Sequence, residues 1–97
     1  MLFLLSLLAC EGEDTGTDRE ADIAALQGDT ANGETLYSTC QGCHGAAGEG
    51  TDSGPGIAGE SKAEIIETVL YGEDTMPAYE SWADQDIADV TAYVLTF

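Results

Sequence analysis

Five consecutive residues, Cys40-Gln41-Gly42-Cys43-His44, restrict what this chain can fold into more than any other part of its 97 residues. Two thiols three positions apart, followed at once by an imidazole, are the attachment pattern of c-type haem. At a helix end each thiol is placed to add to one vinyl group of a porphyrin. The adjacent histidine then lies below the ring with a nitrogen toward iron. A covalently held group also answers a problem of size. So short a chain buries little apolar surface, and domains of this size commonly draw on a disulfide, a metal or a cofactor for stability.

Three other uses of the same thiols fit less well. A thioredoxin-like redox pair belongs in a βαβ unit, and no strand alternation is evident here. A zinc site needs four ligands, whereas the chain offers one His and, besides these two cysteines, only Cys10. A Cys40–Cys43 disulfide would close a ring too small to add much stability. With iron bound, the sixth coordination position is narrowed by elimination. His44 is the only histidine, and of the two methionines Met1 lies in a segment expected to be removed, so Met76 is the remaining thioether. It sits in Thr75-Met76-Pro77-Ala78-Tyr79 between two helical segments. A His44/Met76 pair raises the potential and suits one-electron transfer. The alternative is that Met76 only fills a gap in the core, which leaves iron open for gas sensing or peroxidase-like chemistry.

Patterning divides the chain into three parts. Residues 1–9 (Met1-Leu2-Phe3-Leu4-Leu5-Ser6-Leu7-Leu8-Ala9) read as an export signal, too short to span a bilayer as a helix. The end of this run, Leu7-Leu8-Ala9-Cys10, resembles the lipobox of bacterial lipoproteins, which implies acylation of Cys10, although no Lys or Arg precedes it. Residues 10–28 are then expected to form the lipid anchor and an acidic, flexible tether. Six carboxylates and few large apolar side chains fall between Glu11 and Gly28, and about 18 flexible residues span on the order of 23 Å. Only Ile23-Ala24-Ala25-Leu26 hints at a helical turn.

Residues 29–97 are expected to form one all-α domain. Asp29 or Thr30 caps a first helix running to about Cys40, with Leu36 and Tyr37 as apolar contacts and Gly33 suited to close helix approach. Gly45–Glu60 holds six glycines and Pro55 and reads as a long loop. Ser61-Lys62-Ala63-Glu64 fits a capping box, followed by the stripe Ile65, Ile66, Val69 and Leu70. A last helix runs from Asp84 to Phe97 with Ile87, Val90 and Val94 at helical spacing.

The 19 acidic residues face only Arg19 and Lys62, for a formal net charge of −17. Contact with nucleic acid is excluded on charge, and the expected partners are redox proteins with a basic docking face.

Together these segments resemble a class I cytochrome c of the short bacterial kind over residues 30–97. The resemblance rests on the helix ending in C-x-x-C-H, the glycine-rich loop with Gly54-Pro55-Gly56-Ile57-Ala58-Gly59, the middle helix, the Met-Pro loop and the C-terminal helix. It implies three main helices wrapped around one covalent haem c, ligated by His44 and Met76. The Pro55 carbonyl would accept the His44 Nδ1 proton, with Ile57 against the cofactor, and Gly33 and Tyr37 would cross Tyr93. Trp82-Ala83-Asp84 departs from the usual Leu and Ser/Thr cap. Either Asp84 caps in their place or the helix start frays, and Trp82 either meets the haem edge or a propionate or is simply half-buried. The implied role is a monohaem electron carrier, or an accessory subunit passing electrons within a larger complex, lipid-anchored in the periplasm.

Overall fold

A computed structural model describes residues 15–97, with their side chains from Arg19 onward. The expected export signal and Cys10 lie outside the described residues.

Four helices make the body: α1 (Thr15–Ala25), α2 (Thr30–His44), α3 (Lys62–Tyr71) and α4 (Asp84–Val94). Among the described residues there is no regular strand, only the isolated bridges Thr51–Gly54 and Glu73–Met76. Among the described residues no helix is long and apolar enough to cross a membrane.

The three expected helices are α2, α3 and α4; the expectation of a flexible tether to Gly28 is corrected from residue 15 onward, where the structure has a further helix. Part of the acidic segment is α1, which packs on both α3 and α4. Ile23 is its anchor, fully buried in the same core as Ile66, Leu70, Ile87 and Val90, and burial of one such side chain contributes about 1.5–3 kcal/mol. Asp22 beside it is exposed, so the average composition of the segment hides the isoleucine that helps to dock it.

Each remaining helix forms for a local reason. Asp29 caps α2, its carboxylate accepting from the backbone N–H groups of Ala31 and Asn32. The helix runs past Cys40 to His44, so the whole haem-attachment motif is helical. Ser61 and Glu64 complete the capping box of α3. The N-terminus of α4 is different. Its cap position is Ala83, which makes no side-chain hydrogen bond, and Asp84 lies in the first turn rather than at the cap.

Among the described residues the most extensive helix–helix contact is that of α2 with α4, and Gly33 permits it. A Cβ at Gly33 would overlap the Asp89 carbonyl and stand 2.9 Å from Tyr93 Cβ. Beside the crossing, Tyr37 meets Tyr93 at 5.6 Å and Phe97 at 5.1 Å between ring centroids. Asp89 is buried at the same crossing, accepting from Asp29 N–H (2.7 Å), Asn32 Nδ2 (2.8 Å) and Gln85 Nε2 (2.9 Å). Burial alone would push its carboxyl up, but these hydrogen bonds outweigh that and hold it below the usual carboxylate value.

Among the described residues one buried side-chain group has no hydrogen-bond partner. Thr91 Oγ1 on α4 is fully buried and makes no hydrogen bond. Thr91→Val keeps the shape and removes a desolvated hydroxyl, so it is expected to stabilise the protein by about 1 kcal/mol. Thermal unfolding of the two proteins checks this, and a lower midpoint for the valine variant would contradict it.

Candidate haem site

The end of α2, the long loop after it and the loop before α4 enclose a cleft. Its open part is lined by Cys40, Cys43, His44, Pro55, Ile57 and Met76 among others. It continues inward between Tyr37, Ile65, Val69, Val90 and Val94. Residues predicted separately from the sequence, Cys40, Cys43, His44, Pro55, Ile57 and Met76, are therefore brought to one cavity. Trp82 is not among them. It lines neither part of the cleft and packs edge-on against Tyr79, 4.8 Å between ring centroids, with its backbone turned toward α1. Trp82 thus takes the half-buried position, the second of the two places the sequence left open for it.

The loop Gly45–Glu60 folds back on the helix it leaves. Gly50 N–H donates to the His44 carbonyl (2.7 Å), Thr51 Oγ1 donates to the Cys43 carbonyl (2.7 Å), and Ile57 N–H donates to the Gly48 carbonyl (2.8 Å). Gly50 has φ +92°, and a Cβ there would strike Gly56 and Pro55. A side chain at Gly50 would thus move Pro55, whose carbonyl meets His44.

That contact sets the chemistry of the imidazole. His44 Nδ1 lies 2.8 Å from the Pro55 carbonyl oxygen. A carbonyl can only accept, so Nδ1 carries the proton. In the neutral ring Nε2 then holds the free lone pair, and such a bond fixes the ring and raises its basicity as a ligand. His44 itself is only 7% exposed.

The thiols do not look like a redox pair. Both are free. Burial, and next the neighbouring Cys43, push the Cys40 thiol up, away from the lowered values of reactive thiolates. Both cysteines line the same cleft as His44, as two thioether links to one ring require.

Met76 arrives by a tight turn. Its N–H donates to the Glu73 carbonyl (2.8 Å) and its carbonyl accepts from Glu73 N–H (3.3 Å), with Asp74 in the left-handed region at φ 55°. Beyond it, Tyr79 N–H donates to the Val69 carbonyl (2.8 Å), tying the loop to α3.

Acidic groups line the cleft as well. Glu60, Glu73 and Asp74 face it, and no Lys or Arg does. Burial, then the Glu64 and Glu73 carboxylates, push the Glu60 carboxyl up, with His44 opposing. Sequence reasoning did not single these residues out, because acidic residues are everywhere in the chain.

Tyr37 closes the inner end of the cleft. Its hydroxyl donates to the Gly45 carbonyl at 2.6 Å, and burial foremost pushes its pKa from 10.0 up to about 12. A phenol raised in the folded state contributes stability below the unfolded value, and that contribution is lost as pH climbs through the folded one. Stability is therefore expected to fall between about pH 10 and 12. Tyr37→Phe should cost about 1 kcal/mol at neutral pH and flatten that alkaline loss. Denaturant unfolding across the range checks it, and an equal alkaline loss in Tyr37→Phe would contradict it.

An apolar slot with two thiols at one edge, an imidazole with a free Nε2 and a thioether among its lining residues fits haem c, and an all-α body around such a slot defines a c-type cytochrome. Comparison with known proteins agrees. Residues 28–94 match the family described as cytochrome c oxidase, cbb3-type, subunit III, and the chain belongs to this cytochrome c family. Its cofactor is covalently bound haem c. The chain is similar to cytochrome c-555 of Methylococcus capsulatus, 38% identical over 58 residues, covering 54% of this chain and 47% of that protein. The match thus spans about half the length of that relative. Among solved structures, cytochrome c6 from the diatom Phaeodactylum tricornutum is similar with a TM-score of 0.59 and 30% identity, covering 71% of this chain and 93% of that one. Cytochrome cL from Hyphomicrobium denitrificans gives a TM-score of 0.58 and 27% identity, over 82% of this chain and 52% of that one. The sulfane dehydrogenase SoxCD from Paracoccus pantotrophus, 23% identical with a TM-score of 0.59 over 93% of this chain and 58% of that one, shares the fold.

Proposed function

We propose that this protein is a monohaem one-electron carrier in which Cys40 and Cys43 form the thioethers and His44 Nε2 and the Met76 sulfur occupy the two axial positions. The observation that carries the reading is the His44 Nδ1–Pro55 bond, which leaves Nε2 as the free ligand atom in a cleft that Met76 also lines. When bound, haem c supplies a reversible ferric/ferrous couple. The chain supplies everything else. Ile57, Ile65, Val69, Val90 and Val94 exclude water from the inner slot. The Pro55 carbonyl orients His44, and the Glu73 turn presents Met76. Filled axial positions keep rearrangement between oxidation states small, which favours transfer over substrate chemistry.

Partners are met at an acidic surface. Glu60, Glu73 and Asp74 beside the cleft favour a redox protein with a basic docking face, and the rate of electron transfer to it should fall as salt screens the field. The N-terminal signal and an acylated Cys10 would hold the domain at a membrane on the periplasmic side, the compartment where haem is attached. Labelling with a radioactive fatty acid that is lost in Cys10→Ser tests the anchor.

The function is tested on holoprotein made with haem-maturation machinery. Intact mass under denaturing conditions should show one haem retained per chain in the native protein and poor retention in the Cys40→Ser/Cys43→Ser double variant. Haem that dissociates from the denatured native chain would overturn the thioether assignment.

A further inference from the structure

The chain has only two basic side chains, Arg19 and Lys62, and both are spent on α1. Lys62 Nζ, at the start of α3, donates to the Ala24 carbonyl at the end of α1 (2.7 Å). Arg19 reaches the opposite way. Its Nε donates to Asp84 Oδ1 (2.9 Å), and its two terminal nitrogens donate to the carbonyls of Glu80 (2.8 Å) and Trp82 (2.9 Å). The two carbonyls lie between the Met76 turn and α4, and Asp84 is the first residue of α4, where Ala83 leaves the helix without a side-chain cap.

We propose that Arg19 is a positioning residue for Met76, holding the outgoing end of the methionine loop from outside the cleft. The loop has three fastenings. The Glu73–Met76 turn holds its incoming end and the Tyr79–Val69 bond its middle. Its outgoing end is held by the guanidinium, whose planar fork engages three acceptors in a way an ammonium cannot match. Because Arg19 belongs to α1, the helix serves the site without touching it: undocking α1 frees the segment Glu80–Asp84, and the loop carrying Met76 gains freedom to swing away. The ion pair is partly exposed, with side-chain exposures of 32% and 43%, so its share is modest, and the two carbonyl bonds carry the rest.

This rests on Met76 being the sixth ligand, and the test separates the two ideas. Carbon monoxide binds the ferrous holoprotein only when the methionine leaves, so its binding rate reports loop opening. Arg19→Gln is expected to bind carbon monoxide about fivefold faster than the native protein, and to lose the weak sulfur-to-iron absorption of the ferric form at lower temperature. Arg19→Lys should recover only part of the difference. Lys62→Met loosens α1 at its other end and serves as the comparison: it should become more open to proteolysis in α1 with a smaller change in carbon monoxide binding. An unchanged rate in Arg19→Gln, or equal acceleration in Lys62→Met, would overturn the positioning role. A native protein that lacks the sulfur-to-iron band and binds carbon monoxide at once would instead overturn Met76 as the ligand.

Discussion

Met76→Ala is expected to lower the reduction potential of the holoprotein by on the order of 0.2 V, well within the range of about 0.8 V that axial ligands span. A thioether favours ferrous iron, and its removal leaves a position for water or for an added ligand. The backbone reason for choosing alanine is local. Met76 holds its turn through its own N–H and carbonyl, both bonded to Glu73, so truncating the side chain leaves the loop geometry in place. Folding should survive, since Met76 is only half-buried. A spectroelectrochemical titration reads the shift directly. A potential unchanged from the native protein would show that the sulfur never reached iron.

Gly33→Val should be the most damaging single change away from the cleft, destabilising the protein by about 3 kcal/mol. The added Cβ would meet the Asp89 carbonyl and Tyr93 Cβ, which is backbone and the rigid root of a side chain, not a flexible tip. The α2 and α4 helices would have to separate. That would break the Asn32–Asp89 bond and pull Tyr37 from Tyr93 and Phe97. Because α2 carries the attachment motif and α4 contributes Val90 and Val94 to the slot, haem retention should suffer with stability. Denaturant unfolding of the holoprotein measures the loss. A midpoint within experimental error of the native one would mean that the crossing yields more easily than the packing implies.

Much of this was legible in the sequence, and the parts that were not have physical causes. Short-range signals translated well. The capping box at Ser61 and Glu64 and the apolar stripe after it became α3, and the Gly33 position became the helix crossing. C-x-x-C-H and the Gly-Pro loop, thirteen positions apart at Cys43 and Gly56, meet in the His44–Pro55 bond because the loop turns back through Gly50. What escaped depends on contacts between distant residues. The acidic stretch before Gly28 resembles a solvated tether by composition, since carboxylates outnumber its large apolar side chains. Its docking depends on one isoleucine and on the pairing of Arg19 and Lys62 with backbone carbonyls far along the chain. Composition cannot reveal which carbonyl a lone arginine will find. For Trp82 the sequence left two places open, the cofactor edge and a half-buried position; the side chain is half-buried against Tyr79 while its carbonyl binds Arg19. Asp84, the candidate cap of α4, takes the Arg19 ion pair from within the first turn.

The most direct test of the central claim is the visible spectrum of the purified holoprotein in both oxidation states, recorded into the far red. A c-type α-band on reduction, together with a weak sulfur-to-iron band in the ferric form and no prompt response to carbon monoxide, is the predicted result and describes a His44/Met76 electron carrier. A c-type spectrum without the far-red band, shifting as soon as carbon monoxide is added, would contradict it and make this a haem protein with an open iron position.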